Sequence, residues 1–301
     1  MSRQNDILLE VGTNELEVME FTIADRYFGI NVAKVLEILQ RREVNPMPNA
    51  NPYIEGIFKP RDTIMTVVNL PMYLGLESMD NERDIFIITN FNNVRTAFRV
   101  NTVEAIHRIS WTDIEKPDSS IYGGGEGVAT GVARFDGRLI TIIDFEKILA
   151  DINPHTTIDI GEVSHLAERK AINKPILIAE DSPFLENLIL EALKTAGFKK
   201  VIRTSNGKEA WDKLRELREL DGDIHDHISC VITDIEMPKM DGHRLTRLIR
   251  EDERLGTVPV IIFSSLISEE MKRKGISVGA TAQLSKPEIG ALVGLIDKYV
   301  V

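Results

Sequence analysis

Val231-Ile-Thr-Asp234-Ile-Glu-Met-Pro-Lys-Met-Asp-Gly242 is an apolar strand that stops on a carboxylate and gives way to a turn rich in Pro and Gly. That pattern puts Asp234 at the carboxyl end of a buried strand, where open α/β sheets collect their ligand sites. Alone, the segment also reads as an ordinary strand-to-loop junction, because Asp is a common turn residue. Two other segments supply what such an aspartate needs. Pro175-Ile-Leu-Ile-Ala-Glu180-Asp181-Ser182 is an apolar run with a carboxylate pair at its exit, and Ala282-Gln-Leu-Ser-Lys286-Pro287 leaves a Lys at the end of a late strand. Between them, Val258-Pro-Val-Ile-Ile-Phe263 runs into Ser264 and Ser265.

Four strand ends thus offer an acidic pair, a lone Asp, a hydroxyl and a Lys, in that order. Three carboxylates converging on one site repel one another and imply a hard cation, Mg2+, held by oxygens with water retained. A Lys and a hydroxyl nearby suit an oxyanion, so the constellation is a place to put a phosphoryl group on Asp234. The intervening periodicity agrees. Ser182 reads as the cap of a helix over 183–194 that ends near Gly197. A short strand near Val201 precedes Asn206-Gly207, and 209–217 reads as a second helix. Strands alternating with helices of this length mean a parallel, doubly wound sheet. His225-Asp-His227 falls in a polar loop, and Cys230, the single cysteine, reads as a buried core thiol.

Residues 174–301 resemble a two-component receiver domain of flavodoxin-like fold. The resemblance implies that Asp234 is the phosphoacceptor, and that Glu180 and Asp181 hold the metal with Asp234 and the backbone carbonyl of Glu236. It further implies that Ser264 and Lys286 contact the phosphoryl oxygens. One departure stands out. The family usually carries an aromatic residue three positions before the Lys, where this chain has Gln283.

At 301 residues the chain is long enough for two cores. Hydrophobic content of 43% and charge of 28% are ordinary for soluble domains. No window approaches the roughly 20 apolar residues of a membrane span, and the N-terminus lacks the apolar core of a signal peptide. A net charge of −11 speaks against nonspecific nucleic-acid binding. These features lead us to expect a cytoplasmic protein without membrane insertion or nucleic-acid partners. The polar stretch 152–173 reads as a partly helical linker, with His165 a solvated helix residue.

Residues 14–151 read mostly as strands, beginning with a hairpin of Glu17–Ile23 and Arg26–Ile30 around Ala24-Asp25. A diverged repeat is the most useful clue. Gly56-Ile-Phe-Lys-Pro-Arg61 through Asn69-Leu70 can be laid over Gly131-Val-Ala-Arg through Asp144-Phe145, with thirteen residues from glycine to polar stop in both. A short helix follows each. Two such units suggest two small β-barrels packed together. Gly123-Gly-Gly-Glu-Gly127 lacks the following Gly-Lys-Ser/Thr of a phosphate loop and reads as a flexible loop. Trp111 reads either as a partner anchor or as half-buried packing. No nucleophile, base and oxyanion hole assemble in this half, which reads as a binding module.

That half resembles the CheW-like coupling domain, a pair of five-stranded β-subdomains, with Arg61 matching an Arg associated with partner binding. The competing reading of Arg61 is a solvent-facing hairpin residue. A CheW-like domain followed by a receiver is the arrangement of CheV-type chemotaxis coupling proteins. The resemblance implies a scaffold that joins chemoreceptor cytoplasmic domains to a CheA-type histidine kinase within membrane-associated arrays, tuned by phosphorylation of Asp234. Its enzymatic chemistry would be confined to phosphotransfer onto its own Asp and autodephosphorylation. A phosphate sink that drains the kinase needs the same residues. A transcription factor fares worse, because the N-terminal half is β-rich and not basic.

Overall fold

The computed structural model describes residues 15–77, 81–91, 94–115, 117, 127–153, 158–265 and 269–300. The chain divides into two compact units, one of Glu15–Thr156 and one that includes Thr157–Val301. Gly123–Gly127 mostly lies outside the described residues.

The N-terminal unit opens with β1 (Glu15–Ile23) and β2 (Arg26–Asn31). Ala24 and Asp25 join them with φ of 49° and 59°, the left-handed pair that a tight hairpin with native twist requires. Then follow β3 (Val35–Gln40), β4 (Ile54–Phe58), β5 (Met65–Val68), α1 (Leu70–Tyr73), β6 (Ile85–Phe91), β7 (Val94–Val100) and β8 (Thr102–Ser110). The two-residue β9 (Ile114–Glu115), β10 (Ala129–Phe135), β11 (Arg138–Ile143) and α2 (Phe145–Ile152) complete it.

The repeat seen in sequence is present in three dimensions. Gly56 and Gly131 each sit at a register shift, in β4 and β10 respectively. The polar stops are helix caps: Asn69 accepts a hydrogen bond from the Met72 amide, and Asp144 accepts from Glu146 and Lys147. β5 pairs in parallel with β7, as β11 does with β2.

The strands are exchanged, however, between the two repeats. One sheet has the order β8-β1-β2-β11-β10-β9 and the other β3-β6-β7-β5-β4. Counted from the hairpin that precedes it, each repeat runs β1–α1 or β6–α2 and gives that opening hairpin to one sheet and its later strands to the other. The expectation of two five-stranded subdomains becomes six strands and five, the sixth being β9. One core serves both sheets, with Phe21, Ile23 and Ile30 from the first meeting Val68, Ile87 and Phe98 from the second around Phe145 and Ile148 of α2. The rings of Phe98 and Phe145 meet edge to face at 4.5 Å. Trp111 is half-buried against the cluster of Leu16, Val18 and Ile109.

The C-terminal unit has five parallel strands, β12 (Ile176–Ala179), β13 (Val201–Thr204), β14 (Cys230–Thr233), β15 (Val260–Ser264) and β16 (Ala282–Ser285), in the order β13-β12-β14-β15-β16. Helices α3 (Pro183–Thr195), α4 (Gly207–Arg218), the one-turn α5 (Ile224–His227), α6 (Gly242–Glu251), α7 (Glu269–Ser277) and α8 (Ile289–Val300) alternate with them. α3 and α8 cover one face of the sheet while α4 and α6 cover the other. Buried on both sides, β12 is apolar throughout, and β14 and β15 are apolar up to their last residues, Thr233 and Ser264. His225 and His227 turn to Thr257 and the Asp221 carbonyl, respectively.

A 3-10 helix, Ile160–Leu166, lies against the C-terminal unit, and Ile158 and Val163 are buried in the same cluster as α3 and α8. Two apolar residues spaced along a polar segment were enough to anchor it. Among the described residues no helix is long and apolar enough to cross a membrane.

Two predictions follow from these constraints. Gly56 has φ of 148°, and a Cβ there would strike the backbone of Asn45; at Gly131 it would strike the Cγ2 methyl of the Ile114 side chain, with the nearest backbone atom, the Glu115 carbonyl oxygen, at 3.7 Å. In a Trp211→Phe background, urea unfolding followed by Trp111 fluorescence should show Gly56→Ala losing about 2 kcal/mol or more, and Gly131→Ala distinctly less. Burial holds the His243 imidazole down at about 4, with Lys274 adding to the effect. An unfolded His protonates near 6.5, so stability tied to neutral His243 is complete above that pH and is lost as pH falls toward 4. The C-terminal unit should weaken over that window and His243→Leu should flatten the decline; an NMR midpoint near 6.5 for His243 would contradict this.

Candidate functional site

Strand register builds the site. β12 and β14 pair so that Ala179 faces Thr233, which places the next residues, Glu180 and Asp234, side by side beyond the sheet edge. The Asp234 amide donates to the Ala179 carbonyl at 2.9 Å and fixes that step. β15 and β16 pair with Ser264 opposite Ser285, so Ser264 and Lys286 emerge at the same end. This end lies where the strand order reverses between β12 and β14, the switch point at which doubly wound sheets bind ligands.

Glu180, Asp181 and Asp234 each offer a carboxylate oxygen within 4.8 Å of the others. Lys286, fully buried, places its Nζ 2.8 Å from Asp234 Oδ2 and 3.0 Å from Glu180 Oε2. Burial pushes the Glu180 carboxyl well above the usual range, while the Lys286 ammonium opposes that shift. Thus the ammonium is what makes two adjoining buried carboxylates tolerable. A donor set of three carboxylates at one point is also the kind that suits a hard divalent cation.

The loop after Asp234 is shaped by close approaches. The Ile235 amide donates to Asp234 Oδ1 at 2.6 Å, and the Gly242 amide to the Ile235 carbonyl at 2.9 Å. A Cβ on Gly242 would overlap the Asp234 carbonyl, and one on Gly207 would overlap that of Met240. Lys239 takes φ of 64°, a conformation that costs a non-glycine residue some strain. Glu236 lies in the bend, two residues past Asp234 and partly buried.

Four of the residues singled out from sequence are therefore brought together: Glu180, Asp181, Asp234 and Lys286. Ser264 is buried at the end of β15 and its carbonyl accepts from the Lys286 amide at 3.3 Å. Arg61 belongs to the other unit, with its side chain 80% exposed and Nη2 3.6 Å from Glu37 Oε2. Gly207 and Gly242 went unassigned from sequence although Asn-Gly and Asp-Gly pairs flag both. Gln283 points its amide at α7, where Nε2 donates to the Lys272 carbonyl at 2.8 Å and lies against Gly275. Cys230 is buried one strand-length before the site, its thiol pushed up to about 12 by burial.

The CheW-like domain family matches residues 17–153, and the response regulator receiver domain family matches residues 176–297. The chain is 30% identical to chemotaxis protein CheV3 of Helicobacter pylori, over 94% of this chain and 92% of that protein. It is 29% identical to CheV2 of the same organism, over 90% and 89%. Chemotaxis protein CheW of Thermotoga maritima is 27% identical over 46% of this chain and 90% of its own length. Both domain families, in one chain and in this order, together with similarity running along its whole length, establish that it belongs to the CheV family of chemotaxis proteins.

Proposed function

We propose that this chain is a chemotaxis signalling scaffold that couples chemoreceptors to a CheA-type histidine kinase and is tuned by phosphorylation of Asp234. The observation that carries the reading is the buried Lys286 ammonium held between Asp234 and Glu180. Such a cation beside a strand-end aspartate neutralises charge that a phosphoryl group would bring there. In this reading an Asp234 carboxylate oxygen forms a bond to phosphorus as the donor's phosphorus–nitrogen or phosphorus–oxygen bond breaks. Lys286 then turns from the carboxylate to a phosphoryl oxygen, and the Ser264 hydroxyl donates to another. Glu180, Asp181, Asp234 and the Glu236 carbonyl would hold Mg2+, which when bound offsets the added negative charge. Phosphorylation replaces the single charge of the Asp234 carboxylate with the roughly 1.5 to 2 negative charges of a phosphoryl group, a net gain of up to about one, enough to reorganise a site whose balance rests on one ammonium.

The N-terminal unit supplies the docking half of this function. Arg61 stands out from its sheet with only Glu37 near its guanidinium among the described ion pairs. We assign it to contacts with an acidic surface on a receptor or kinase partner, and in this reading the protein works at membrane-associated arrays.

Acetyl phosphate with Mg2+, or phosphorylated kinase, should label the protein and leave Asp234→Asn unlabelled; equal labelling of the variant would remove Asp234 from its role. In co-sedimentation with receptor–kinase arrays, Arg61→Glu should weaken binding about tenfold, or ~1.4 kcal/mol. Unchanged binding would return Arg61 to an ordinary surface residue.

A further inference from the structure

Residues 158–172 are fastened to the C-terminal unit at three places. Ile158 and Val163 are buried among Leu185, Ile189 and Leu193 of α3 and Ile289, Leu292 and Val293 of α8. Ile172 joins the end of α3 through backbone hydrogen bonds, its amide donating to Gly197 and its carbonyl accepting from Lys199. The third attachment is to both ends of α8. Glu162 Oε2 accepts from the Gly290 amide at 2.9 Å in the first turn, and Arg169 Nη1 lies 2.8 Å from Asp297 Oδ2 near the last.

The first-turn contact lies close to the site. Helices begin with amide groups that have no partner inside the helix, and a carboxylate placed there is favoured by both hydrogen bonding and the helix dipole. Immediately before α8 the Glu288 carboxylate reaches back to the Ser285 amide at 2.9 Å, while the Glu288 amide donates to the Ser285 carbonyl at 2.9 Å. That reciprocal clasp encloses Lys286 and Pro287 in the entry turn of α8. The Ile289 amide donates to the Pro287 carbonyl at 2.8 Å, and Glu162, from outside the helix, takes the amide after it, that of Gly290. Gly290 makes room for it, because a Cβ there would lie 3.0 Å from Glu162 Oε2. Three hydrogen-bonded steps thus lead from the Lys286 ammonium at Asp234, through a braced turn, to Glu162. The chain running N-terminally from this strap enters α2 of the coupling unit.

We propose that residues 158–172 are a built-in relay, in which Glu162 reads the position of Lys286 through the first turn of α8 and passes it to the chain that joins the coupling unit. The proposal rests on the phosphoacceptor reading of Asp234. When Lys286 leaves Asp234 for a phosphoryl oxygen, the entry turn shifts with it and the Glu162–Gly290 hydrogen bond loosens. Gln283, bound to α7, has no part in this route.

Hydrogen exchange of the full chain tests it, with intact-mass measurement of phosphorylation in the same samples. With acetyl phosphate and Mg2+, the amides of Gly290 and of 160–166 should exchange faster by about threefold or more, while amides of α4 on the opposite face stay unchanged. Glu162→Ala should take up phosphate as the parent does and lose that phosphorylation-dependent difference. A second arm needs no phosphate: Lys286→Met should speed exchange at the same amides relative to α4. Unchanged strap exchange in protein shown to be phosphorylated would overturn the relay and leave the phosphoacceptor intact. Absence of phosphorylation would overturn the Asp234 reading, and an unchanged strap in Lys286→Met would then overturn the relay independently.

Discussion

The C-terminal unit is organised around one buried cation. Lys286 sits between Asp234 and Glu180 with nearly all of its surface removed from water. Taking three charged groups out of water is costly unless they satisfy one another. The geometry that lets them do so comes from the register of four parallel strands whose ends deliver the groups to one point. Apolar strands buried on both faces fix that register, and the close approaches at Gly207 and Gly242 hold the loop after Asp234 in place. A balance resting on a single ammonium is stable in one charge state and is changed by the arrival of another anion. That sensitivity is the physical basis of a switch.

The N-terminal unit solves a different problem with related means. Its two repeats exchange strands, so neither sheet can form without the other repeat, and Phe145 on α2 packs against Phe21 from one sheet and Phe98 from the other. Buried charge appears here too. Arg99 is enclosed with Asp84, at 3.1 Å, and Glu55, while Glu20 is enclosed with His107 and Arg138. Glu20 and His107 tie the neighbouring strands β1 and β8, Arg99–Glu55 and Glu20–Arg138 each reach across one intervening strand, and Asp84 stands just before β6. The unit thereby offers a rigid surface, in keeping with a binding module.

Much of this was legible in the sequence because the signals are local. Apolar runs ending on Glu180, Asp234, Ser264 and Lys286 state where each strand stops, and alternation with helices states that the strands are parallel. The hairpin at Ala24-Asp25 and the two polar stops at Asn69 and Asp144 likewise act on their immediate neighbours. What escaped is nonlocal. Periodicity shows which face of a strand is buried without naming its partner, so the strand exchange between repeats could not be read from Gly56 and Gly131. Residues 158–172 escaped for the opposite reason. Their apolar content is confined to a few positions such as Ile158 and Val163, and their polar residues look solvated until Glu162 and Arg169 are seen at the two ends of α8.

The most direct measurement is a double-mutant cycle on Lys286→Met and Asp234→Asn, by urea unfolding of the full chain in chelator. If the ammonium and the carboxylate form the pair on which the site depends, the double variant will be more stable than the sum of the single losses implies, by more than about 1 kcal/mol. Strictly additive losses would show that Lys286 and Asp234 are merely neighbours, and the account built on their pairing would fail.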